Sequence, residues 1–151
     1  MSVLGAFENR ALIACLIAWA LAQGLKLPIE YALTRKWNWS LLLRAGGMPS
    51  SHSALVSAVA HAIGLTAGFD TPLFALAVVL AMVVIYDATD IRRQAGRHAE
   101  IINAMVRDLV EGHPLHQEQL REVLGHSPFE AIVGLILGIG VAQLTIMLWP
   151  A

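Results

Sequence analysis

From Pro128 to Trp149 the chain carries a single charged residue, Glu130, within an otherwise largely apolar run. Such a run is long enough to cross the roughly 30 Å hydrocarbon core of a bilayer. Inside a bilayer every backbone N–H and C=O must find its partner within the protein, which restricts spanning segments to helices or closed barrels. The apolar/polar alternation of a barrel strand is absent, so the run reads as helix. Three further runs, Ala11 to Leu25, Ser51 to Gly68 and Pro72 to Tyr86, contain no Asp, Glu, Lys or Arg. With 57% hydrophobic and 14% charged residues and a mean hydropathy of +0.64, the chain is more apolar than ordinary soluble domains, which are nearer 45–50% apolar. The expected fold is all-α: a small integral membrane bundle of about four transmembrane helices forming one domain over residues 1–151.

The punctuation supports that division. Lys26-Leu27-Pro28 is expected to end the first helix, Gly68-Phe69-Asp70-Thr71-Pro72 reads as a tight turn, and Arg97 to Val110 has apolar residues at helical spacing among charges, as in an interfacial amphipathic helix. Four crossings put the Lys26–Ser51 and Asp87–Gly125 connections on one side of the membrane. That side carries every Lys and Arg except Arg10, a bias that marks the cytoplasmic face. A net charge of −1 gives no electrostatic footprint for nucleic acid. Cys15, the single cysteine, reads as a small apolar residue, and Glu8 to Leu25 makes a poor signal peptide because its start is barely positive.

Two polar clusters interrupt this apolar frame. Gly46-Gly47-Met48-Pro49-Ser50-Ser51-His52-Ser53-Ala54 places glycines, hydroxyls and a histidine just before an apolar helix. Pro49 suits a first helical position, and Ser50 or Ser51 can cap the helix. A helix start with free N–H groups and hydroxyls is an anion site in construction, although any well-capped helix begins similarly. Later, Leu124-Gly125-His126-Ser127-Pro128-Phe129-Glu130 sets a carboxylate one helical turn after a histidine. A carboxylate that accepts from one imidazole nitrogen fixes the tautomer and leaves the other nitrogen as a nucleophile. The plainer alternative is a first-turn glutamate complementing the helix dipole.

Together these clusters resemble signatures of the type 2 phosphatidic acid phosphatase superfamily. More closely, the chain resembles its small divergent branch, labelled acid phosphatase/vanadium-dependent haloperoxidase related. The branch pattern GGMPSSHSA is matched as it stands, a YDAxGVRRxAG-like segment falls on Tyr86 to Gly96, and LGHxPxEVxxG falls on Leu124 to Gly134. The resemblance spans nearly the whole chain and implies a metal-independent phosphatase without cofactors. It implies that His126 is the nucleophile, Glu130 its orienting carboxylate and His52 the general acid. It also implies that Lys26, Arg35, Ser50, Ser51, Arg92 and Arg93 bind phosphate, with Gly47, Asp87 and Arg121 as secondary members. Glutamate stands here for the usual aspartate, Ser51 for a glycine, and Asp90 for the glycine of the branch. Leu120 occupies the position of the arginine six residues before the nucleophile, a role for which Arg92 or Arg93 is the expected substitute.

The expected function is hydrolysis of a membrane lipid phosphate monoester, of the phosphatidylglycerol phosphate or phosphatidate type, through a phosphohistidine at the cytoplasmic face. An isoprenyl pyrophosphate phosphatase and a non-catalytic phosphate-binding subunit or transporter are the alternatives, and membrane embedding counts against a vanadate-dependent peroxidase. The bilayer and a lipid phosphate are the expected partners, and so small a bundle is compatible with a homodimer. His61 reads as a packed histidine. His98 lacks a carboxylate four residues on, and His113 with His116 lacks a third metal ligand.

Overall fold

A computed structural model describes residues 3–42, 46–91, 96, 98–103, 105–106 and 127–149. Among them every regular element is helical. A 3-10 turn, Val3–Glu8, leads into α1 (Arg10–Thr34), whose N-cap Asn9 accepts from the Leu12 N–H at 3.1 Å. A second 3-10 turn, Trp39–Leu42, precedes α2 (Ser51–Ala67). Then come α3 (Pro72–Tyr86), running on into a π-helical turn over Asp87–Ile91, and α4 (Pro128–Leu148). Of the expected amphipathic segment, residues 98–103 and 105–106 are helical. Residues 107–110 lie outside the described ones.

The chain is a small all-α membrane protein. α1, the stretch Pro72–Thr89 and α4 are each long and apolar enough to cross a membrane. The fourth expected crossing, α2, has 17 residues, about 26 Å of helix. It forms the middle of the bundle, packing on α1, α3 and α4, while α1 also packs on α4.

One boundary differs from expectation. α1 does not stop at Pro28 but continues two turns to Thr34. A proline inside a helix costs about 3 kcal/mol in lost bonding and steric clash. The turns beyond it are secured by Thr34 Oγ1 donating to the Glu30 carbonyl at 2.9 Å, by the Arg35 N–H on Tyr31 O at 2.8 Å, and by Tyr31 stacked on Trp37 at 4.6 Å.

The core is made of small side chains. Ala14, Ala18 and Ala22 of α1 meet Ala54, Ala58 and Ala62 of α2 and Ala142 of α4, while large residues such as Leu16, Leu76, Met82 and Leu144 point outward. Lipid tails are as apolar as leucine, so burying leucine between helices gains little there; small residues let backbones approach and gain dispersion and hydrogen bonds instead. Gly134 and Gly138 carry this furthest. A Cβ on Gly134 would collide with the Ser50 carbonyl, and one on Gly138 with Ser57 Oγ and the Ala54 carbonyl. Ser57 Oγ contacts Leu135 O across this seam at 3.1 Å.

The helix directions gather the polar motifs at one end. Near the close of α1, Lys26 reaches Ser51 at the start of α2, and the Ser50 N–H donates to Glu130 O at the start of α4 at 3.0 Å. At the other end Arg10 Nη1 donates to Trp149 O at 3.2 Å, and His61 Nε2 lies 3.0 Å from Gln143 Oε1. Thus α2 and α4 run parallel, α1 opposes both, and α3 returns from the Gly68 turn to bring Asp87 to the motif end.

Candidate active site

At the motif end the two parallel helices present their N-termini side by side. Ser50 caps α2, its Oγ accepting from the Ser53 N–H at 3.3 Å and from Ser53 Oγ at 3.1 Å. Pro49 therefore precedes the cap instead of occupying the first helical position, and its bond to Met48 is cis. The two residues before Met48 have positive φ, 108° at Gly46 and 81° at Gly47. Only glycine takes such angles without penalty, and the turn lays Gly47 along the stem of Lys26, where an added Cβ would lie 3.8 Å from Cδ.

Lys26 is the central charge. It is 2% exposed, and Ser50 and Ser51 beside it are 0% and 4% exposed. Among the described residues its one hydrogen bond is from Nζ to Ser51 Oγ at 3.5 Å, and the Glu130 carboxylate lies within Coulombic reach. Burying an ammonium costs several kcal/mol even after relaxation. One carboxylate offsets that charge, but two helix N-termini add roughly half a positive charge each. The sum is positive, in a setting lined by hydroxyls and N–H groups, so the arrangement favours an anion with several oxygens.

Glu130 does two things the spacing did not separate. Its Oε2 accepts from the Ser127 N–H at 3.0 Å while Ser127 Oγ accepts from the Glu130 N–H at 3.3 Å, a reciprocal capping box at the start of α4. The first-turn structural role weighed above is therefore present. A carboxylate has about four acceptor sites over two oxygens, so this role leaves capacity for an imidazole or an ammonium. The Glu130 carbonyl, as noted, also receives the Ser50 N–H and locks the two motifs together.

Of the expected site residues, Lys26, Gly47, Ser50, Ser51 and Glu130 come together, with His52 half-buried in the first turn of α2. Asp87 is exposed at the same end of the bundle. Arg35 is not brought into this cluster: it caps α1 with φ 57° and is exposed, nine residues past Lys26, about 14 Å of helix. His126, Arg92, Arg93 and Arg121 lie outside the described residues; His126 is bonded directly to Ser127, which caps α4.

Three residues were missed in the sequence. Gln23 Nε2 donates to Leu41 O at 3.3 Å and Leu42 O at 2.7 Å, tying the 3-10 turn to α1 one turn before Lys26; a lone amide in an apolar run was its signal. Ser53, fully buried, holds Ser50, and Gly134 admits the Ser50 carbonyl. The spacing Gly134-x-x-x-Gly138 was the signal for the last.

Comparison with known proteins decides the family. A family model described as the divergent PAP2 family matches residues 7–141. The chain belongs to the divergent PAP2 family. The chain is also 39% identical over 142 residues to a Bacillus subtilis (strain 168) chain named uncharacterized membrane protein YuiD, covering 87% of this chain and 90% of that one. No solved structure matches.

Proposed function

We propose that this divergent PAP2 protein hydrolyses a lipid phosphate monoester, of the phosphatidylglycerol phosphate or phosphatidate type, at the cytoplasmic membrane face. The observation that carries the reading is the buried Lys26 ammonium set against two helix N-termini and the Ser50 and Ser51 hydroxyls. Phosphoryl transfer needs cations and N–H donors around the equatorial oxygens, an in-line nucleophile and an acid for the leaving oxygen.

In the proposed sequence Lys26, Ser50, Ser51 and the α2 amides hold the phosphate, with Arg92 and Arg93 adding charge. His126, oriented by Glu130, attacks phosphorus; the phosphorus–oxygen ester bond breaks and His52 protonates the departing alkoxide. Water, deprotonated by His52, then cleaves the phosphohistidine to give inorganic phosphate and restores both histidines.

The test is phosphate release from a panel of lipid phosphates by purified protein, with acid-labile phosphoenzyme trapped in parallel. His126→Ala is expected to abolish both signals. His52→Ala is expected to spare p-nitrophenyl phosphate, whose leaving group needs little protonation, far more than an alkyl phosphate. Lipid turnover by the His126 variant would overturn the mechanism.

The capping box favours one second reading, a non-catalytic phosphate-binding membrane protein in which Glu130 is purely structural. Glu130→Gln separates the two, because glutamine also completes a capping box. Thermal stability is expected to change by less than about 1 kcal/mol, while turnover falls by about 10²-fold or more as the imidazole loses its oriented tautomer. A variant that binds vanadate normally, with wild-type and variant alike lacking turnover, favours the second reading.

A further inference from the structure

An apolar groove of about 230 Å³ lies on α2 between α3 and α4. Its floor is Ser57 and Ala60 of α2, small enough to leave a channel where leucines would fill it, and its walls are Val78 and Ile85 on one side and Leu135 and Ile139 on the other. α3 rests on α2 and leaves this gap open: only Ala77 and Ala81 of its residues are buried.

Two features give the groove a direction. One end lies toward the motif end of the bundle, since Leu135 is five residues beyond Glu130 and Ile85 two residues before Asp87. The other is stoppered by an aromatic group: Phe74 meets Phe69 edge-on at 5.1 Å, Phe69 lies 6.0 Å from the His61 ring, and His61 is held by Gln143. From Ile85 to Phe74 the groove follows about 16 Å of helix, close to one leaflet, half of the roughly 30 Å hydrocarbon core.

We propose that this groove seats one linear hydrocarbon chain of the lipid whose phosphate lies at Lys26, Ser50 and Ser51, with the chain end against the Phe69–Phe74–His61 stopper. The assignment rests on the lipid-phosphate reading above and adds the hydrophobic half of the substrate to it. A cationic cluster at the motif end and an apolar channel of one-leaflet length leading away from that end are what a single-chain anchor below a phosphate requires. The stopper makes chain length a selected property, and Ser57 and Ala60 make thickness one.

The experiment uses the full chain in detergent with octyl, dodecyl and hexadecyl phosphates bearing a diazirine at the chain end, read by mass spectrometry of the labelled peptides. Dodecyl phosphate is expected to label Phe74–Met82 and Leu135–Gln143, and labelling is expected to fall by about tenfold with Lys26→Met, which removes the phosphate anchor. Phe74→Ala, which opens the stopper, is expected to shift the preferred probe toward hexadecyl; this gain does not depend on a damaged fold. Val78→Phe is expected to lower groove labelling. Label spread evenly over outward residues such as Leu16 and Leu144, or an unchanged length preference in Phe74→Ala, overturns the groove even if lipid phosphate is hydrolysed. Groove labelling that depends on Lys26 in a protein releasing no phosphate leaves the groove standing and removes the phosphatase reading.

Discussion

The two flanks of α2 are built on opposite principles. Toward α4 the backbones touch through Gly134 and Gly138, with Ser57 bridging to Leu135 and Ser50 to Glu130. Toward α3 the contact is borne by little more than Ala77 and Ala81, and an open channel remains beside it. The tight flank is the one that fixes the distance between two helix N-termini, where a shift of an ångström would spoil the proposed phosphate cradle. The loose flank borders the groove proposed above to seat a hydrocarbon chain. Close packing is thus concentrated where the polar motifs meet.

The largest effect that could break this comparison belongs to Gly138→Leu. Its side chain would need the space of Ser57 Oγ and the Ala54 carbonyl, and since a backbone atom cannot rotate away, a loss of about 3 kcal/mol or more is expected, at the upper end for overpacking. Thermal unfolding in detergent reads it, and near wild-type stability would show that the α2–α4 seam is not the rigid one. Lys26→Met comes next. It is expected to keep the fold, because a buried charge is replaced by an apolar chain of similar shape, while vanadate affinity falls by about 10²-fold, in the range for a lost charge-assisted contact. Unchanged vanadate binding would detach the cationic cluster from any phosphate role. Smallest is Leu80→Ala on the outward face of α3, where leucine is 55% exposed. Its cost is expected below about 0.5 kcal/mol, since lipid replaces the lost contacts, and a loss above 2 kcal/mol would mean that α3 is held more firmly than its buried residues indicate.

Helix ends were readable in the sequence where the chain is punctuated by residues that act locally. Pro72 and Pro128 open α3 and α4, and Gly68 closes α2, because each acts through its own dihedrals and bonding. Pro28 misled for the converse reason: its penalty is local, but the turns after it are repaid by Trp37, which meets Tyr31 only once the chain has folded back. The polar motifs were readable as groups, since hydroxyls, histidine and a carboxylate in an apolar chain have few bland uses. What spacing could not convey was the capping box that Glu130 completes, or the service of Gln23. The first depends on rotamer choice within one turn, the second on where Leu41 and Leu42 come to rest.

The overhang of α1 has a further consequence. Tyr31, Trp37 and Trp39 form a stacked ladder, 4.6 Å and then 5.9 Å between rings, of the kind that floats at the membrane–water boundary. Lys26 lies five residues earlier on the same helix, about 8 Å toward the middle of the bundle. With the ladder at the boundary, the cationic pit is sunk below the waterline. A terminal phosphate can descend that far with only its own oxygens to desolvate, whereas a phosphodiester must drag its polar substituent down as well. Discrimination between the two would then be a matter of immersion depth, set by the number of residues between a lysine and a tyrosine.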